Sequence, residues 1–246
     1  MLGDAGLQDK RDLLSSRHGL APRIGALSLL AVLSLALLLL PEGLTAALVD
    51  EDGPVESLTA ALWFVGAAAA LTTAFRSRPL VWEWLFGGVG MLLFAARELS
   101  WHTQFTGWSV TRVESYLSAS IPLWGRLLGL LLVVLPAAVS LIGLVVRLTP
   151  RLRRAWRQGA AWSRDVPLWL LLLVISQVLD KGHKVFPPLG FDIPVHYTRL
   201  FEETIELALP VYVLFAIWPL CFARNESPRE QVATSFAPPV SDERPV

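Results

Sequence analysis

Six long apolar runs separated by polar connections organise this chain: Ile24 to Leu40, Val55 to Phe75, Leu80 to Ser100, Leu127 to Leu148, Val166 to Lys184 and Phe201 to Phe222. Each comes close to the roughly 20 residues that a helix needs to cross the hydrocarbon core of a bilayer. The pattern predicts an all-α, polytopic transmembrane helical bundle of six spans, occupying residues 24–222. Residues 1–23 are expected as a cytoplasmic amino-terminal segment. Residues 223–246, with four prolines and few large apolar side chains, are expected as a disordered cytoplasmic tail. Asp180 and Lys181 interrupt the fifth run, and polar residues at that depth predict a lined cavity.

The first run has basic residues before it and Ala46 and Ala47 after it, as a secretory signal would. It is longer than the usual signal core, and its leader carries Asp4, Asp9 and Asp12, so a retained helix is expected. Cleavage would leave five spans.

Composition agrees with a membrane protein: 54% of the 246 residues are apolar, 17% are charged and the mean hydropathy is +0.52. The formal net charge is zero, which gives no sign of a nucleic-acid partner. The one cysteine, Cys221, excludes an internal disulfide and paired-thiol chemistry.

The basic residues set the orientation. Fifteen of the 21 Lys and Arg lie in the amino-terminal segment, the Arg76/Arg78 turn, the Arg147–Arg164 connection and the tail, against six in the alternate segments. By the positive-inside bias both termini are cytoplasmic, and the compositional bias to Ala, Leu, Arg and Trp fits the plasma (inner) membrane of a bacterium. Between Pro150 and Asp165, arginines alternate with Trp156 and Trp162. That segment is expected along the membrane surface, with the bilayer and its anionic lipids as partners.

With this orientation the ionisable residues gather at the periplasmic face. A charge at the centre of a spanning helix costs about 2.5 to 3.5 kcal/mol, so such groups are usually paired or used. Pro54 suits a first helical turn, which places Glu56 where a carboxylate gains from the helix dipole. Glu98 and His102, four apart at the end of the third run, would share one helix face, with Arg97 beside Glu98. Gln177, Asp180 and His183 recur at three-residue spacing at the end of the fifth run, and Asp180 has a local alternative partner in Lys184. If a helix begins soon after Pro194, then His196, Arg199, Glu203 and Glu206 form one stripe running inward. Arg199 can then neutralise Glu203, whereas Glu206 has no cation within reach on its own helix. It needs a partner from another span, a proton or a metal.

Ala96-Arg97-Glu98-Leu99-Ser100-Trp101, together with Asp52-Gly53-Pro54-Val55-Glu56 and Glu202-Glu203-Thr204-Ile205-Glu206, resembles a group of polytopic bacterial membrane proteins that end a span in Glu-x-Ser-Trp and begin the last helix with acids. That resemblance implies the membrane fold and no activity. More remotely, Asp180, His183, His196 and His102 are similar to the His and Asp residues that hold zinc in membrane hydrolases of the alkaline ceramidase and progestin-receptor type. The chain departs from that pattern in having six spans for their seven and in lacking their His-x-x-x-His pair.

Three functions are compatible with these residues. The first is an integral membrane protein with a non-catalytic role, its acidic/His pocket facing the periplasm. The second is a metal-dependent hydrolase acting on a lipid-like substrate, with Glu98, Asp180 and Glu206 as catalytic carboxylates and His102, His183 and His196 holding a divalent cation such as zinc. Glu56, Arg97, Gln177, Arg199 and Glu203 would complete that pocket. The third is a proton- or ion-coupled carrier.

Overall fold

A computed structural model describes residues 21–49, 53–76, 80–110, 112–118, 120–182, 186–190 and 193–222. Residues 1–20, the acids at 50–52, His183, Lys184 and the tail from 223 lie outside the described residues, as do the side chains of His102 and Trp162. Among the described residues all regular structure is helical.

In chain order the helices are α1 (Ala21–Leu39), α2 (Glu42–Val49), α3 (Pro54–Arg76), α4 (Val81–Glu98), α5 (Trp101–Thr106), α6 (Val113–Leu117), α7 (Leu123–Gly129), α8 (Leu135–Arg157), α9 (Asp165–Asp180) and α10 (Val195–Phe222). A π-helical turn, Leu130–Val134, joins α7 to α8 without a break. Pro136 follows directly and has no N–H to offer the preceding turn, which accounts for the wider turn there. Two stretches, Gly43–Arg76 and Leu123–Arg157, are long and apolar enough to cross a membrane. Leu132, Leu141, Ile142 and Val146 on the second of these are exposed, the reverse of a water-soluble core helix.

Helix α10 is the hub, packing against α1, α3 and α9, while α4 lies between α3 and α8. Small residues allow these approaches. The inner face of α3 is Ala60, Ala67, Ala70 and Ala74, all buried. On the other side of α4, a Cβ at Gly143 of α8 would stand 2.5 Å from the Phe86 ring, and the Ser140 hydroxyl donates to the Phe86 carbonyl at 2.6 Å. Close backbone contact with an occasional hydroxyl bond is how helices associate where burial from water does not drive packing.

The main apolar cluster joins four helices: Trp63 of α3, Ala95 of α4, Leu172 of α9, and Ile205 and Leu209 of α10. Phe94 stacks on Trp63 with centroids 4.9 Å apart, and Trp169 meets Phe94 edge-on at 6.4 Å. Ala95 is two residues before Arg97 and Ile205 adjoins Glu206, so this cluster forms the floor of the polar site.

Two boundaries differ from the sequence pattern. Helix α8, the fourth predicted span, does not stop before Pro150 but runs through it to Arg157, so the first half of the Arg/Trp segment continues this helix instead of forming a separate surface segment. The chain turns back only at Gln158–Ala160, where Gly159 adopts φ +69°. Helix α4, the third predicted span, ends at Glu98, and Ser100 takes the left-handed conformation with φ 48° before α5 starts. Glu98 and His102 therefore sit on different helices instead of one continuous face.

Candidate functional site

The ends of α4 and α9 and the beginnings of α3 and α10 meet at one end of the bundle, which follows from their antiparallel succession along the chain. Each contributes a polar group. From α4 come Arg97 and Glu98, from α9 Ser176, from α10 Glu203 and Glu206. From α3, Glu56 lies within electrostatic range of Glu98 and Glu203.

Glu206 is the centre. Its Oε1 accepts a hydrogen bond from Arg97 Nη2 at 3.0 Å and another from Ser176 Oγ at 2.8 Å, tying three helices to one oxygen. The Nη1 of Arg97 stands 3.7 Å from Glu98 Oε1, so one guanidinium lies between two carboxylates. Asp180 is also within electrostatic range of Arg97. Ionic hydrogen bonds of this kind are stronger than neutral ones, and more so away from water.

Negative groups outnumber the cation that neutralises them. Glu98 and Glu206 are each 5% exposed and Glu203 is 9% exposed. The Oε2 of Glu203 is buried and accepts no hydrogen bond. An ionised carboxylate in that position would carry a desolvation cost of several kcal/mol with nothing to offset it. The expected neutralisation by Arg199 does not reach this oxygen; Arg199 is half-buried and has interactions of its own.

The remaining candidates fall outside this centre. Gln177 is exposed, because α9 turns Leu172 and Ser176 inward. Asp180 is half-buried and pairs with the neighbouring Lys181. His196 is exposed, its ring 4.0 Å from that of Tyr197. Since the side chain of His102 and the whole of His183 lie outside the described residues, only His196 of the predicted histidine ligands has its side chain placed. Among the described residues no group of three or more His, Cys, Asp or Glu is arranged to hold a metal ion. Ser176 is the participant that the sequence pattern did not single out. Its only signal was its position four residues after Leu172 on the apolar side of α9.

No family model, curated protein or solved structure matches the chain.

Proposed function

We propose that the chain is a six-span protein of a bacterial inner membrane, with both termini in the cytoplasm and an acidic centre near the periplasmic face that binds a proton. Four features support the membrane assignment: two long apolar stretches, outward-facing aliphatic side chains on α8, small-residue helix contacts and a cytoplasmic excess of arginine and lysine.

The observation that carries the binding role is Glu203, a buried carboxylate whose Oε2 has no partner, next to Glu206 and Glu98 and beyond the hydrogen bonds of Arg97. A group so placed is stable only when something positive joins it. Proton binding at such a centre is an elementary step of proton-coupled transport.

A species that binds the folded form raises its unfolding temperature by mass action. Thermal unfolding of the detergent-solubilised chain is therefore followed against pH at constant ionic strength. The wild type is expected to gain stability as the pH falls, because a proton on Glu203 removes the buried charge. Glu203→Gln, which replaces the charge with an amide, is expected to be at least as stable as wild type and to lose that dependence. A Glu203→Gln protein that unfolds earlier with the dependence intact would overturn the proposal.

A second role is favoured by the Arg97–Glu206–Ser176 bonds, which join α4, α9 and α10 as a structural clamp. A clamp alone predicts no ligand-dependent stability in any variant.

A further inference from the structure

The basic end of α8 divides its arginines between two tasks. Arg151 faces α4 and pairs with Glu83 at 2.9 Å, a contact internal to the bundle. Arg153, Arg154 and Arg157 are exposed, and among the described residues none of them pairs with a carboxylate. These three line a shallow open groove that continues along the same side of α8 over Thr149 to Val145 and Val146. Pro150 lies in the groove between its two halves. The Nε of Arg154 donates to the Pro150 carbonyl at 3.3 Å, which holds that guanidinium along the helix.

One face of one helix thus changes from aliphatic to triply cationic within about three turns, at the point where an apolar stretch long enough to cross a bilayer ends. A soluble anion would use the arginines and leave the valines unused. An aliphatic chain would do the opposite. A molecule with a phosphate at one end and an acyl chain at the other uses both, with the guanidiniums giving paired N–H donors to the phosphate oxygens.

We infer that this groove is a binding site for one anionic glycerophospholipid of the cytoplasmic leaflet, its phosphate on Arg153, Arg154 and Arg157 and an acyl chain against Val145 and Val146. The inference rests on the membrane assignment above and is independent of the acidic centre.

The test is native mass spectrometry of the full chain released from detergent in the presence of phosphatidylglycerol or phosphatidylcholine. Wild type is expected to retain one phosphatidylglycerol in clear preference to phosphatidylcholine. Attraction of a basic residue to an anionic lipid surface corresponds to roughly a fivefold effect for each arginine removed. Arg157→Gln should therefore reduce retention by about that factor, and the triple change Arg153→Gln, Arg154→Gln, Arg157→Gln should abolish the preference. A control triple, Arg76→Gln, Arg147→Gln, Arg164→Gln, removes the same charge from the same face and should retain it.

Equal retention of the two lipids, equal loss in the control triple, or full displacement by glycerol phosphate would overturn the inference. A carbonate wash of membranes separates this outcome from failure of the membrane assignment. A chain that stays in the pellet yet shows no lipid preference sinks the lipid site alone, whereas release into the wash sinks both.

Discussion

Arg97 near the end of α4 and Glu206 in α10, 109 residues apart in the chain, are joined by a 3.0 Å ionic hydrogen bond. Arg97 is 39% exposed at its side chain and Glu206 only 7%, so the pair lies at the edge of the buried site, with the acid on the inner side. Removing the cation leaves Glu206 and Glu98 buried without it. Arg97→Gln should cost about 2 to 4 kcal/mol, discounted from a fully buried pair for the exposure of the arginine. Combining it with Glu206→Gln should recover part of the loss. Thermal or denaturant unfolding of the three variants in one detergent checks the sign of the coupling.

Ser176→Ala removes the other donor to the same carboxylate oxygen without introducing bulk. A hydrogen bond to a charged group contributes about 1.5 to 3 kcal/mol, and the variant should lose stability in that range. In an Arg97→Gln background the effect should change in size, because the two donors share one acceptor. A strictly additive pair would count against a common centre.

The α4–α8 contact leaves no room at Gly143. Gly143→Ala places a methyl against Phe86, and overpacking of this kind costs about 1 to 3 kcal/mol. Phe86→Leu in the same chain should restore much of the loss. Unfolding midpoints of the two single variants and the double variant decide it.

Arg126 holds the connection before α7. Its Nε donates to the Ile121 carbonyl at 2.8 Å and its Nη2 to the Ser118 carbonyl at 2.6 Å. Arg126→Ala should raise amide hydrogen exchange around Ser118 and Ile121 while leaving the interior of α10 protected. Uniformly faster exchange would mean that this arginine supports the whole bundle.

Orientation is open to chemical labelling. In a Cys221→Ser background, a membrane-impermeant maleimide added to spheroplasts should modify Leu117→Cys and leave Arg157→Cys untouched until the membrane is broken. Both positions are exposed, so access depends on the side of the membrane and not on burial. The opposite pattern would invert the topology.

Long-period apolar patterning made the helical segments legible within a few residues: 55–75 corresponds to Pro54–Arg76, and 80–100 to Val81–Glu98. Local exceptions were not legible. Nothing in Leu99-Ser100 marks a left-handed residue, since serine rarely adopts that conformation, and so Glu98 and His102 were expected on one face. Pro150 reads as a helix stop, yet the helix continues because only one backbone bond is lost and neighbouring contacts persist. At the polar centre, charge and helical spacing pointed to Arg97, Glu98, Glu203 and Glu206, but equally to Asp180 and His196, which pair elsewhere. The choice between Ser176 and Gln177, adjacent in sequence, depends on the rotation of α9 about its axis, which is set by packing on α10. An apolar run with few polar marks leaves that rotation undetermined.

Because α10 supports α1, α3 and α9 at once and follows all of them in the chain, biogenesis has a late decisive step. While the ribosome is still making the earlier segments, the guanidinium of Arg97 must wait without Glu206. A product cut short before residue 195 would present an arginine without its acid and an open apolar seam along α3, α4 and α9.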